Sequence, residues 1–200
     1  MKGKKRLAKR FARTAVKGSL KIMDHPDGAN PGSTEKNVTA IEALPQIGIS
    51  EILGLVELLK SKGGREDIYK LAAELQMEFG ETLTVIRGAE LLGLVHTPGG
   101  DVVVEPLGET VSRSRINDRK ALIKKQLVKI GVFASLCQFL REQDDSQATR
   151  DQLLEKLADI LPNENCEQTF TTVVNWGRYA ELFGYNDDSE TFYLDTEANS

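Results

Sequence analysis

The sequence predicts a mainly α fold with small β-hairpins, an α+β class, on three observations. Apolar residues recur at helical spacing in segments that stop at glycine. Short β-branched or aromatic runs, broken by turn residues, follow the third helical segment of each half. Two seven-residue strings, AELLGLV at Ala89 to Val95 and AELFGYN at Ala180 to Asn186, write the same helix ending twice, and such self-similarity marks repeated supersecondary units.

The first helix is read from ISEILGLVELLKSKGG, where Ile49, Ile52, Leu53, Val56 and Leu59 share a face and Gly63-Gly64 supplies the stop. A second follows in REDIYKLAAELQ, with Ile68, Leu71, Ala72 and Leu75 together. A third, GETLTVIRGAELLG, directs Leu83, Ile86, Leu91 and Leu92 inward before its own glycine. In LVHTPGGDVVVEP the period changes, and a Pro-Gly-Gly-Asp turn between apolar runs reads as a hairpin. Three helices and a hairpin are the winged-helix order.

The second half repeats it at greater length. One long helix is expected from about Asn117 to Glu142, striped by Ile123, Leu127, Ile130, Ala134 and Cys137. TRDQLLEKLADIL follows with Thr149 as N-cap. CEQTFTTVVNWGRYAELFG is the third helix, and YNDDSETFYLD a hairpin turning at DDSE. Aligning the repeats gives an offset of 86 at Lys70 and Lys156 and of 91 at Ala89 and Ala180, so five residues are inserted between those helices in the second copy. The expected organisation is therefore tandem winged-helix-like units at 47–112 and 113–196, behind a basic arm and flexible linker at 1–46. The linker is placed by DHPDGANPGS, a concentration of turn residues with little to bury.

At 40% hydrophobic and 28% charged, the 200 residues have a globular composition. No apolar run approaches the length of a membrane span. The N-terminus lacks the apolar core of a secretory signal, so a cytoplasmic protein is expected. Cys137 and Cys166 are too few for a disulfide framework. Net charge is -4, but it is unevenly distributed: nine of the 26 Lys and Arg fall within residues 1–23, which carry no acid, leaving 17 bases against 30 acids in the body. An acidic body repels a nucleic-acid backbone, while the basic arm suits an anionic lipid, nucleic acid or an acidic protein surface.

The span from about Ile49 to Asp195 resembles the C-terminal AAA-associated domain, found behind the ATP-binding subunit of nitrate, sulfonate, taurine and bicarbonate type ABC transporters. The marks are Gly63-Gly64-Arg65, Ala-Glu-Leu-Leu-Gly from Ala89, the basic NDRKALIKK, and Trp176-Gly177-Arg178-Tyr179-Ala180. The resemblance implies a non-catalytic accessory or regulatory domain of nitrate, sulfonate or bicarbonate import, acting by contact with an ABC transporter ATPase or permease. It also implies a place in the cytoplasm, at or near the inner face of the plasma membrane.

The resemblance does not extend to the motor. G-x-x-x-x-G-K-[ST], whose amides and lysine cradle phosphate, does not occur; SKGG and PGSTEK lack its spacing. Neither ATP binding nor hydrolysis is expected. His25 and His96 have no cysteine or histidine partners at metal spacing. No nucleophile elbow accompanies the serines, and the DDSE and NDD carboxylates read as turn formers. No enzyme, cofactor, metal or small-molecule substrate is expected.

The candidate partner contacts are Lys4, Lys5, Lys9, Arg10, Arg13 and Lys17 of the arm, with Arg65, Trp176 and Arg178 of the body. Leu7, Phe11 and Ala15 at four-residue steps would give the arm an amphipathic face, so residues 2–21 suit an anionic membrane surface; the alternative is a solvated tail. Trp176 is either a partner hot spot or a core residue packed where Gly177 leaves room, and the core reading is preferred. Arg65 and Arg178 are expected to pair with local carboxylates.

The alternative function is a winged-helix DNA-binding transcriptional regulator using the basic arm. Nucleic acid is not the expected partner: FGETLTVIRGAELLG sets Arg87 against Glu81 and Glu90, and both hairpin turns are acidic. The remaining cations, Arg113, Arg115, Arg119, Lys120, Lys124, Lys125 and Lys129, spread around their helix as a solvated surface does.

Overall fold

In the computed structural model, which describes residues 41–194, the first helix, α1 (Ile49–Ser61), buries the stripe expected of it, with Leu55 added. Its end is fixed by the Gly63 N–H donating to the Lys60 carbonyl (3.2 Å) and the Gly64 N–H to the Leu59 carbonyl (2.8 Å). Both glycines are left-handed, at φ +86° and +90°, a conformation that costs glycine no steric penalty.

Then come β1 (Arg65–Asp67), α2 (Ile68–Leu75), α3 (Phe79–Leu91), β2 (Val95–His96) and β3 (Asp101–Val104). The three strands form an antiparallel sheet in the order β1-β3-β2, with Glu66 opposite Val102 and Val95 opposite Val104. Asp67 starts α2 by accepting from the N–H groups of Tyr69 and Lys70.

A further helix, α4 (Pro106–Arg113), begins at Pro106, a residue suited to the first helical position because its missing N–H would have no partner there. The long helix expected from Asn117 to Glu142 is two: α5 (Ile116–Leu127) and α6 (Gly131–Arg141). The chain turns at Ile130, whose extended backbone (φ -79°, ψ 125°) makes it the N-cap of α6. The turn rotates the second segment's face, burying Val132, Phe133, Leu136, Cys137 and Leu140 and exposing Ala134.

After a single 3-10 turn at Asp144–Ser146 the element order recurs: β4 (Gln147–Thr149), α7 (Arg150–Ile160), α8 (Cys166–Tyr179), β5 (Phe183–Asn186) and β6 (Thr191–Leu194), with sheet order β4-β6-β5. Thr149 caps α7 in a reciprocal box with Gln152. The DDSE turn is held by Asn186 Oδ1, which accepts from the N–H groups of Asp188 and Ser189.

The repetition of elements is real, but the repeated string is out of register with it. In the first copy Ala89 lies inside α3 and Gly93 takes the left-handed position, φ +68°. In the second, Ala180 is already the C-cap and Glu181 is left-handed, φ +52°. The Leu94 N–H reaches the Ala89 carbonyl as the Leu182 N–H reaches that of Gly177. Gly93 therefore corresponds to Glu181, not to Gly184, and the offset of 91 reflects composition, not position.

The core is continuous through both halves and changes character along them. The first half packs aliphatic side chains, among them Ile52, Leu55, Leu59, Leu71, Leu92 and Val102. The second is built on rings: Phe133 stacks at 6.2 Å on Trp176 and at 6.3 Å on Phe183, and Phe192 meets Phe170 and Phe183 edge-on at 5.4 Å. Two adjacent residues of α8 bind the start of α1. The Ile49 N–H donates to Asn175 Oδ1 (2.9 Å), and the Trp176 indole N–H donates to the Ile47 carbonyl (2.8 Å).

Candidate interaction surface

The residues that bury the inner face of α3 are Thr82, Val85, Ile86, Gly88 and Ala89. That phase leaves Phe79, Leu83, Arg87 and Glu90 on the outer face. Leu83, expected in the core, is 42% exposed, and Phe79 is 39% exposed. On α2, Tyr69 is 70% exposed and stacks on Phe79 with ring centroids 4.9 Å apart and planes 10° from parallel.

This apolar ridge borders an open groove of about 820 Å³ between α2, α3 and the β2–β3 hairpin. Ile68, Leu83, Ile86 and Leu91 form its apolar wall, and Glu42, Arg87, Glu90 and Thr97 its polar rim. Arg87 pairs with Glu42 at 3.3 Å, and Glu90 accepts the Thr97 hydroxyl. Glu78 and Glu81 cap α3 at the edge of the ridge, the Glu78 N–H donating to the Glu81 carboxylate. The sequence conceals this surface, because residue type alone places Leu83 with the core. The available signal was phase: 79 and 83 run with 87 and 90, not with 82, 85, 86 and 89.

Of the sequence-predicted contacts, the three among the described residues, Arg65, Trp176 and Arg178, lie away from this surface and serve the fold. Arg65 is committed to its own sheet, Nε and Nη2 both reaching Asp101 Oδ2 (2.7 and 2.5 Å). Arg178 reaches Asp187 at the second hairpin's turn, 3.2 Å. It lines a smaller groove of about 440 Å³ with Phe170, Val174 and Tyr185. Trp176 is fully enclosed and cannot meet a partner while the fold is intact: the side chain fills the centre of the ring cluster and its N–H is occupied by Ile47. Lys4, Lys5, Lys9, Arg10, Arg13 and Lys17, with His25, lie outside the described residues.

Part of the α5 cation cluster has structural work. Arg119 Nε donates to the Val111 carbonyl (3.1 Å) and Nη1 to Glu57 (3.2 Å). Lys120 pairs with Glu181 at 2.7 Å, and Lys124 donates to the Glu181 carbonyl at 2.6 Å. The Lys120 hydrogen bond, aided by its charge, holds the Glu181 carboxyl below the ordinary glutamate range. The two lysines thereby serve the carbonyl end of α8, where a cation is favoured and the left-handed Glu181 would otherwise be costly.

His96 Nδ1 lies 2.6 Å from Glu105. Among the described residues, no cluster of three His, Cys, Asp or Glu side chains is placed to hold a metal. Nor is any helix among them long and apolar enough to cross a membrane. Cys137 is buried, which pushes its thiol pKa up, away from the reactive thiolate.

No curated protein and no solved structure matches the chain. A family model described as the C-terminal AAA-associated domain matches residues 69–186.

Proposed function

Since the chain belongs to the C-terminal AAA-associated domain family, we propose that it is a non-catalytic accessory domain serving the ATP-binding subunit of an ABC transporter of the nitrate, sulfonate or bicarbonate type. It acts by protein contact, and the nucleotide chemistry belongs to the subunit it serves. The observation that carries the contact reading is the ridge of Tyr69, Phe79 and Leu83 beside a groove. Aromatic and aliphatic side chains left this exposed, next to one another, are what a protein-binding surface presents.

The same face argues for a protein over a nucleic acid. In a winged-helix-like unit the third helix would enter a DNA groove, yet the outer face of α3 offers one guanidinium, Arg87, among Glu78, Glu81 and Glu90. Holding register on a phosphate backbone takes several cationic contacts. Residues 2–21, rich in lysine and arginine, would hold the protein at the anionic inner face of the membrane by an attraction that weakens as salt rises.

Affinity capture of the tagged full-length chain from its host's lysate, with nuclease present, tests the reading. Enrichment of an ABC ATPase or its permease is expected. Recovery only of partners that vanish with nuclease would overturn it in favour of the DNA-binding alternative.

A further inference from the structure

We propose that the groove between α2, α3 and the β2–β3 hairpin docks a cationic amphipathic helix presented by a partner protein. The inference rests on the protein-contact reading above and adds the chemistry of what is contacted.

The shape suits a helix. Phe79 and Leu83 stand one turn apart on α3, the same i, i+4 step at which an amphipathic helix presents its own anchors, so the two ridges can interdigitate. Tyr69, flat against Phe79, extends the ridge sideways and offers a rigid ring at small entropic cost. A groove of about 820 Å³ has room for a few apolar side chains, and Ile68 and Leu83 on its wall give them a surface to bury against.

Charge selects the kind of helix. Glu42 and Glu90 line the groove and Glu78 and Glu81 cap α3 beside the ridge; the cations at hand are Arg87, which already faces Glu42, and Lys70 next to Tyr69, which pairs with Glu66. Among the described residues no lysine or arginine pairs with Glu78, Glu81 or Glu90. Lysines flanking a partner's apolar stripe would meet these carboxylates, whereas an acidic helix, a nucleic acid or an anionic lipid surface would be repelled. Tyr69, Phe79 and Leu83 are thus the energetic centre and the four glutamates the discriminating rim.

The test is fluorescence anisotropy with the full-length chain and a labelled peptide of about 18 residues, five helical turns, carrying Leu and Phe at i, i+4 spacing and Lys elsewhere. A second peptide replaces every Lys by Glu. Saturable binding of the lysine peptide is expected, at least about tenfold tighter than the glutamate peptide and weakened about tenfold by Leu83→Asp or Tyr69→Ser. Thermal melts of both variants matching the parent ensure that loss of binding is not loss of fold.

Equal binding of the two peptides, or binding indifferent to both substitutions, would overturn the proposal. Two further outcomes would replace its occupant. Peptide binding that emerges only when Leu7 and Phe11 are changed to Ser in the full chain would make the arm the occupant. A concentration-dependent dimer abolished by Leu83→Asp would make it a second copy. If the peptide fails while an ABC ATPase is still captured, the groove assignment falls and the accessory role stands.

Discussion

The same glycine-to-alanine change should have opposite signs at two helical positions. At Gly54, in the middle of α1, nothing lies within 4 Å of where a methyl would stand. Gly54→Ala should therefore gain most of the intrinsic helical advantage of alanine, about 0.8–1 kcal/mol. At Gly177, in α8, the methyl would lie 2.3 Å from both Cε2 and Cζ of Phe183. That ring has no easy retreat, being buried and packed against Phe133 and Phe192. Overpacking of this kind costs about 1–3 kcal/mol, and so close a contact belongs near the upper end. Offset by alanine's helical gain, a net loss of about 2 kcal/mol remains, or about 4–8 °C in Tm for a chain of this size. Urea unfolding followed by the fluorescence of Trp176, the single tryptophan, reads both variants directly. If Gly177→Ala proved as stable as the parent while Gly54→Ala stabilised, the close approach of Phe183 to α8 would be refuted.

Asn175→Ala removes the acceptor for the Ile49 N–H and should cost about 1 kcal/mol, as loss of an N-cap does, seen as a lower urea midpoint with unchanged slope. Tyr179→Phe deletes a hydroxyl that makes no well-aligned hydrogen bond among the described residues but has the Arg119 guanidinium beside it, so its midpoint should move by no more than about 1 kcal/mol. Because the Glu181 carboxyl titrates lower in the folded than in the unfolded state, its contribution is present above the unfolded value and lost as pH falls through the folded one. The parent should therefore lose more stability on acidification than Lys120→Met, in urea midpoints taken between about pH 6 and pH 3. In native protein a thiol reagent should modify the partly exposed Cys166 well before the buried Cys137, and unfolding should equalise the two rates.

Helix existence was legible wherever periodicity and capping chemistry agreed. Gly63-Gly64 ended α1 where expected, and Thr149 opened α7 with the residue three positions on completing the box. Strands β1 and β4 were not legible: three residues each, reading Arg-Glu-Asp and Gln-Ala-Thr, they carry little β pattern and exist because β3 and β6 offer them an edge. The break at Ile130 hid behind a spacing of fours and threes that continued through it, because apolar spacing registers burial and not continuity of the axis. The candidate surface failed for a related reason. Identity alone places an apolar helical side chain in the core, and only its phase with Val85 and Ala89 distinguishes Leu83 as outward. Trp176 does lie in the core, as preferred, but for another reason: the space beside Gly177 is filled by Phe183, not by the indole.

The hydrogen bonds from α8 to the beginning of α1 also impose a schedule on synthesis. Ile49 and Asn175 are 126 positions apart, so at roughly 5–20 residues per second a ribosome delivers the second about 6–25 s after the first. For that interval α1 must persist without its acceptor and with part of its apolar face uncovered, while α2, α3 and the first sheet collect around it.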